Sequence, residues 1–237
     1  MEAVPRTALL VQIPLFSPGV IACGEVEIWA RERGMGPLIG LDEAGRGPLA
    51  GPVVAAACVL PDPCPFPGLD DSKQLTEARR EELFALIVEH AVAFGVCFAE
   101  PDLIDEINIL RASLHAMSVA WQMVVDKVPS LRTAHALVDG KMRAPLPEDV
   151  VQHVLVKGDG RSLNVAAASI LAKVSRDRAM REYDAEFPVY GFAKHKGYPT
   201  KQHLSALAEH GPCPIHRRSF RLTGPEVAAV PVTTPLL

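Results

Sequence analysis

At 237 residues, 49% apolar and 22% charged, the chain can build one large domain, or one domain with a small appendage, around a substantial single core. That composition excludes a disordered or fibrous chain, and no apolar stretch approaches the ~20 residues that a membrane-spanning helix needs. The formal net charge of −4 excludes a uniformly basic protein, but residues 157–221 hold twelve Lys and Arg against six Asp and Glu, so a basic face stands beside an acidic remainder.

In chain order, residues 1–36 show no sustained period and read as an irregular extension. Its apolar run 8–23 ends in Val20-Ile21-Ala22-Cys23, similar to a lipoprotein cleavage site, but Glu2 precedes the first cation, Arg6, and Pro14 and Pro18 interrupt the run. An export signal is therefore not expected, and a cytoplasmic location is. Five cysteines without a C-x-x-C pair agree with a reducing compartment and suggest neither a disulfide framework nor a zinc site. Residues 38–41 form a short apolar run that ends in Asp42-Glu43, and residues 53–60 form a second run rich in small and β-branched side chains; both read as buried strands. The Pro-rich stretch 61–68 is a loop. Thr76 can cap a helix whose apolar face is Leu83, Leu86, Ile87 and His90. Residues 92–98 read as a strand, 109–128 as a long helix, and 134–139 and 151–156 as two further strands. Cys58 and Cys97 fall inside apolar runs and read as small buried hydrophobes. Residues 165–183 form a helix whose Ala166, Ala167 and Ala168 allow close packing on a sheet, and a last helix starts at Thr200. The expected fold is an α/β domain with a mixed central sheet flanked by helices. Its expected division is residues 37–190 as the catalytic body, 191–221 as a basic helical segment and 222–237 as a Val- and Pro-rich tail.

The chemistry concentrates in a few strings. Asp42-Glu43-Ala44-Gly45-Arg46-Gly47 puts two carboxylates at the end of a buried strand, where only positive charge makes them tolerable, and follows them with glycines that let main-chain N–H groups approach a phosphate or ribose. Val138-Asp139-Gly140 is another acid at the end of an apolar run. Asp159 stands just ahead of a helix on which Ser169 and Lys173, four apart, share a face. Lys194-His195-Lys196-Gly197-Tyr198 interleaves cations with an aromatic, as a groove that tracks a nucleic-acid backbone does, and His216-Arg217-Arg218-Ser219-Phe220 extends the basic stripe. Four separated acids with a Gly/Arg loop suit hard, oxygen-liganded cations and phosphodiester chemistry. The residues by themselves leave a metal-dependent nuclease and a phosphotransferase both open.

The same strings, in this order, resemble the ribonuclease HII family from about residue 36 to residue 220. Its pieces are residues 42–47, Asp71-Ser72-Lys73-Gln74-Leu75, residues 138–140 and 157–159, residues 167–174, and His195-Lys196-Gly197-Tyr198-Pro199-Thr200. The resemblance implies a ribonuclease H-like fold with a small helical C-terminal piece. It implies an endonuclease that hydrolyses the RNA strand of RNA–DNA hybrids and cuts 5′ of ribonucleotides embedded in duplex DNA, leaving 3′-hydroxyl and 5′-phosphate ends. Asp42, Glu43, Asp139 and Asp159 match its catalytic, metal-holding carboxylates, with Mn²⁺ or Mg²⁺ as cofactor and two ions during catalysis. Gly45, Arg46 and Gly47 match its ribose-reading loop and Tyr198 its junction-sensing tyrosine, while Lys73, Ser169 and Lys173 match residues that contact phosphate or support the site. A binding module that kept the fold but lost catalysis would have lost an acid, and a small-substrate metal phosphatase has no use for the basic, aromatic segment. In the N-terminal extension, Gln12-Ile13-Pro14-Leu15-Phe16 resembles the short Gln-x-x-Leu-Phe peptides by which bacterial replication proteins dock on the sliding clamp. No membrane association is expected.

Overall fold

The computed structural model describes residues 23–65, 67–69 and 75–222. In chain order the elements are α1 (Glu25–Glu32), β1 (Leu38–Ala44), β2 (Val53–Val59), α2 (Glu77–His90), β3 (Ala93–Ala99), α3 (Pro101–Ile107) and α4 (Ile109–Lys127). They continue with β4 (His135–Asp139), β5 (Gln152–Leu155), α5 (Leu163–Glu186), α6 (Phe192–His195) and α7 (Lys201–His210). The strands form one sheet in the order β3-β2-β1-β4-β5. β1, β2 and β3 pair antiparallel, whereas β4 lies parallel to β1 and β5 parallel to β4, so the sheet is mixed, as expected.

Strand alternation sorts the side chains onto two faces. Ile39, Leu41, Ala55 and Ala57 enter the core beneath α4, with Met117, Trp121 and Val124. Ala56 and Cys58 turn the other way, into a core with Ala166, Ala167, Ile170 and Leu171 of α5. Two glycines mark where a helix main chain meets the sheet. A Cβ on Gly40 would stand 2.2 Å from the main-chain carbon of Asn164, and one on Gly95 would stand 2.4 Å from the carbonyl oxygen of Ala120 on the opposite face. Gly40 and Asp42, two residues apart on β1, therefore both look toward α5.

Several local readings change. Residues 25–32, expected to be irregular, form α1. Val26 and Ala30 bury against Leu38, Leu155 and Val165, and Glu27 Oε1 accepts from the Ser162 hydroxyl at 2.5 Å and from Asn164 N at 3.2 Å, a carboxylate at the N-terminus of α5. Two buried apolar residues in a helix this short are too weak a period to stand out in sequence. Thr76 caps α2 as expected, its side chain accepting from Arg79 N at 3.2 Å, but His90 is exposed rather than part of the buried face. Cys58 is fully buried, whereas Cys97 is only partly so. Helix α3 has no counterpart among the expected elements. Among the described residues the chain after α7 is not helical; it returns to pair Ala50 with His216 in an isolated antiparallel bridge. Gln12 to Phe16, Lys73 and the tail beyond residue 222 lie outside the described residues.

Candidate active site

Parallel pairing of β1 with β4 brings two of the candidate acids together. The register aligns Leu41 with Val138, so Asp42 and Asp139 follow one step later, at adjacent strand ends and on the same face. Asp42 is 4% exposed. Burial raises its pKa well above the ordinary carboxylate value, and the charges of Asp139 and Glu43 raise it further; hydrogen bonds from the Ser169 hydroxyl and the Glu43 main chain oppose them. The Glu43 N–H donates to Asp42 Oδ1 at 2.7 Å. Asp139 Oδ1 accepts from Gly158 N at 2.6 Å. Glu43 pairs with Arg46 across 3.3 Å. A buried carboxyl crowded by two others is a group that a cation would relieve.

These three acids share the wall of a cavity of about 360 Å³ with Gly45, Arg46 and Gly47, Ser169, Lys173 and Tyr198, all expected site residues. Ser169 and Lys173 reach it from one face of α5, as their spacing requires. Lys173 also pairs with the buried Asp177 at 2.6 Å. Asp159 behaves differently. It is 2% exposed in a short 3-10 turn, its Oδ1 accepting from Gly160 N at 3.1 Å, and among the described residues the cavity wall does not include it. Nor, among the described residues, do three or more His, Cys, Asp and Glu side chains already form a closed ligand cluster. The arrangement is an open acidic edge rather than a finished cage. Its donors are all carboxylate oxygens, which fits a hard divalent cation.

The opposite wall is built from main chain. Gly45 has a φ of 97°, and a Cβ there would stand 2.0 Å from Arg176 Nε, so only glycine fits. A Cβ on Gly47 would lie 3.5 Å from Tyr198 Cε1, which puts the loop and the half-exposed tyrosine ring side by side. Leu49 N donates to Gly197 O at 2.8 Å, and Gly51 N to Ile215 O at 2.8 Å. Beneath Tyr198 runs a chain of neutral histidines whose tautomers follow from their partners. Cys213 N–H donates to His216 Nδ1 (3.0 Å), so His216 Nε2–H donates to His203 Nε2 (3.0 Å) and His203 Nδ1–H donates to Tyr198 O (3.0 Å). Burial holds His216 down at about 4, with His203 adding to the effect.

Two expectations for the basic stripe change here. His195 is buried; its Nε2 donates to Tyr190 O at 2.7 Å while its Nδ1 accepts from Gly197 N at 3.2 Å, so it shapes the loop from within. His216 and Arg217 are 1% and 0% exposed, because carbonyls of the 45–52 loop, not solvent, satisfy the Arg217 guanidinium. Arg80 and Arg176, which also line the cavity, were not singled out in the sequence. Arg176 had a usable signal, lying seven residues after Ser169 on the same helix face; Arg217 had none that separates it from its neighbour Arg218.

Comparison with known proteins bears on the family and the fold. The sequence model of the family described as Ribonuclease HII matches residues 39–223. A curated Ribonuclease HII of Geobacter sulfurreducens is 52% identical over 200 residues, 84% of this chain and 89% of that protein. Among solved structures, the ribonuclease H2 of Pyrococcus horikoshii is 28% identical with a TM-score of 0.59, covering 78% of this chain and 94% of the other. An Archaeoglobus fulgidus RNase HII, solved as a complex with PCNA, is 26% identical with a TM-score of 0.61, covering 79% and 96%.

Proposed function

The chain belongs to the ribonuclease HII family, and on that premise we propose that it is a metal-dependent endonuclease that hydrolyses the RNA strand of RNA–DNA hybrids and cuts 5′ of ribonucleotides embedded in duplex DNA, leaving 3′-hydroxyl and 5′-phosphate ends. The observation that carries the reading is the Asp42–Asp139 pair at adjacent strand ends, facing a glycine-arginine loop and a tyrosine across one cavity. Asp42, Glu43 and Asp139 would hold the metal, with Asp159 closing the set from its turn beside Gly158. Mn²⁺ or Mg²⁺ held there, two ions during turnover, would supply positive charge for an in-line displacement at phosphorus. The chain's own residues orient the substrate. Ser169 holds the Asp42 carboxylate in place, and Lys73, Lys173 and Arg46 meet phosphate. The main chain of Gly45, Arg46 and Gly47 reads the ribose 2′-hydroxyl, while Tyr198 packs on the adjoining deoxyribose. Residues 37–190 act as the catalytic body and 191–221 as the segment that completes the reading wall.

A duplex carrying one ribonucleotide and a continuous RNA–DNA hybrid, each incubated with and without Mn²⁺ or Mg²⁺, test the proposal. Metal-dependent cleavage of both, with a 3′-hydroxyl on the upstream product, is expected. Binding without cleavage at any metal concentration would make the chain a hybrid-binding module, and hydrolysis of small phosphomonoesters alone would make it a phosphatase.

The partner in replication is a sliding clamp, docked through Gln12-Ile13-Pro14-Leu15-Phe16. Supporting this is the PCNA complex of the archaeal relative, together with the Gln-x-x-Leu-Phe pattern itself. Five cysteines without a C-x-x-C pair support a cytoplasmic place of work. Among the described residues no helix is long and apolar enough to cross a membrane.

A further inference from the structure

Two arginines lie beneath the reading wall and carry charge into the protein interior. Arg176 is 1% exposed and Arg217 is 0% exposed. A buried guanidinium needs its N–H groups and its charge satisfied, and here main-chain carbonyls satisfy both. Arg217 donates through Nε to Gly51 O (2.9 Å), through Nη1 to Arg46 O (3.0 Å) and through Nη2 to Gly45 O (2.6 Å). Arg176 donates through Nε to Pro52 O (2.9 Å) and through Nη2 to Ala50 O (3.1 Å) and Lys196 O (3.0 Å). Five of these six acceptors belong to residues 45–52, and the sixth belongs to the segment that ends in Tyr198. Burial, with the neighbouring Arg176 adding to it, pushes Arg217 down only to about 9, so it keeps its charge at neutral pH. The bonds to Gly45 and Arg46 span 172 and 171 residues of sequence.

We infer that Arg217 is a positioning residue for ribose recognition: its planar fork fixes the Gly45 and Arg46 peptides against the Tyr198 segment, so discrimination between ribose and deoxyribose depends on a side chain buried behind the reading wall. The chain around Arg217 is itself anchored from outside. Asp105 accepts from Arg218 N (2.9 Å), Ser219 N (2.9 Å) and the Ser219 hydroxyl (2.6 Å), and the Phe220 ring lies 5.2 Å from the Arg217 guanidinium. A lysine at 217 would keep the charge but could not span three carbonyls with one planar group.

The inference rests on the proposed role of residues 45–47, and the experiment separates the two. Wild type, Gly47→Ala, Arg217→Lys and the double variant are compared by kcat and KM on the one-ribonucleotide duplex and on the continuous hybrid, alongside Tm and the Tm rise on adding Mn²⁺; a methyl at 47 stands 3.5 Å from Tyr198 and crowds the main chain proposed to read the ribose. Arg217→Lys is expected to lower the one-ribonucleotide rate by about 10-fold more than the hybrid rate, the scale of one lost charge-assisted hydrogen bond. The Mn²⁺-induced rise in Tm should stay unchanged, and the double variant should do no worse than the poorer single one. If Gly47→Ala shifts the substrate ratio while Arg217→Lys lowers both rates equally, Arg217 is merely structural and the inference fails. If Gly47→Ala leaves the ratio unchanged, the role of the loop fails and the inference falls with it. Should Arg217→Lys not fold, Asp105→Asn decides, because it loosens the anchor while the Arg217 guanidinium and its three carbonyl partners stay in place. A smaller shift of the ratio in the same direction supports positioning; an equal fall on both substrates overturns it.

Discussion

The two walls of the cavity are built on opposite principles. The acid wall is held by strand register and is electrostatically frustrated: Asp42 is buried beside two like charges that raise its pKa. On the reading wall, by contrast, every polar partner just described is satisfied. Carbonyls of residues 45–52 meet buried guanidiniums, and three ring-to-partner hydrogen bonds lead from Cys213 to Tyr198. The contrast fits the role proposed for each wall. A site that must attract a cation stores repulsion until the cation arrives, whereas a site that must measure the difference of one hydroxyl has to be rigid beforehand.

The contrast predicts substitutions of opposite sign. Asp42→Asn should lower kcat by about 10³-fold or more, as expected when a metal-holding carboxylate is lost, yet raise Tm or leave it unchanged without divalent metal. A fall in Tm would mean that the acid wall stabilises the fold and the comparison is wrong. Gly45→Ala should do the reverse to the fold. Its φ of 97° and the 2.0 Å approach to Arg176 Nε cost about 1–3 kcal/mol or more of stability, measured by urea denaturation. The Mn²⁺-induced rise in Tm should persist in that variant.

Tyr198→Ala should cost about 1–3 kcal/mol of transition-state stabilisation on the one-ribonucleotide duplex, the range for loss of an aromatic platform, with no change in the metal concentration needed for half-maximal rate. Equal rates for variant and wild type would remove the ring from recognition. The histidine chain should show itself through pH. His216 titrates near 4 in the fold against an ordinary 6.5, so the unfolded chain takes up its proton first as pH drops. The contribution of His216 to stability should be level above about 6.5, decline as pH falls toward about 4, and level off below. His153, also held near 4, contributes to the same window, so the informative quantity is the shallower slope of His216→Gln relative to wild type. The smallest catalytic effect is expected at the far end of the chain. Leu15→Ala with Phe16→Ala should leave cleavage of a free duplex unchanged and abolish binding to the cognate clamp in a pull-down with purified components. Clamp binding that survives the double change would exclude the peptide.

Much of this molecule is legible in a single sequence because the signals are local. A strand or helix repeats its pattern within a few residues, so β1, α2, α4 and α5 and the acids at the ends of β1 and β4 can be read directly, and Ser169 and Lys173 share a face by spacing alone. What the local pattern could not fix is which polar groups turn inward. Asp159 sits in a recessed turn, Glu27 caps a helix 137 residues away, and in His216-Arg217-Arg218 two neighbours are buried while the third is exposed. Whether a charge can be buried depends on what lies opposite it, and for Arg217 those partners are carbonyls about 170 residues distant, brought within hydrogen-bond range only when the C-terminal segment folds back against the 45–52 loop.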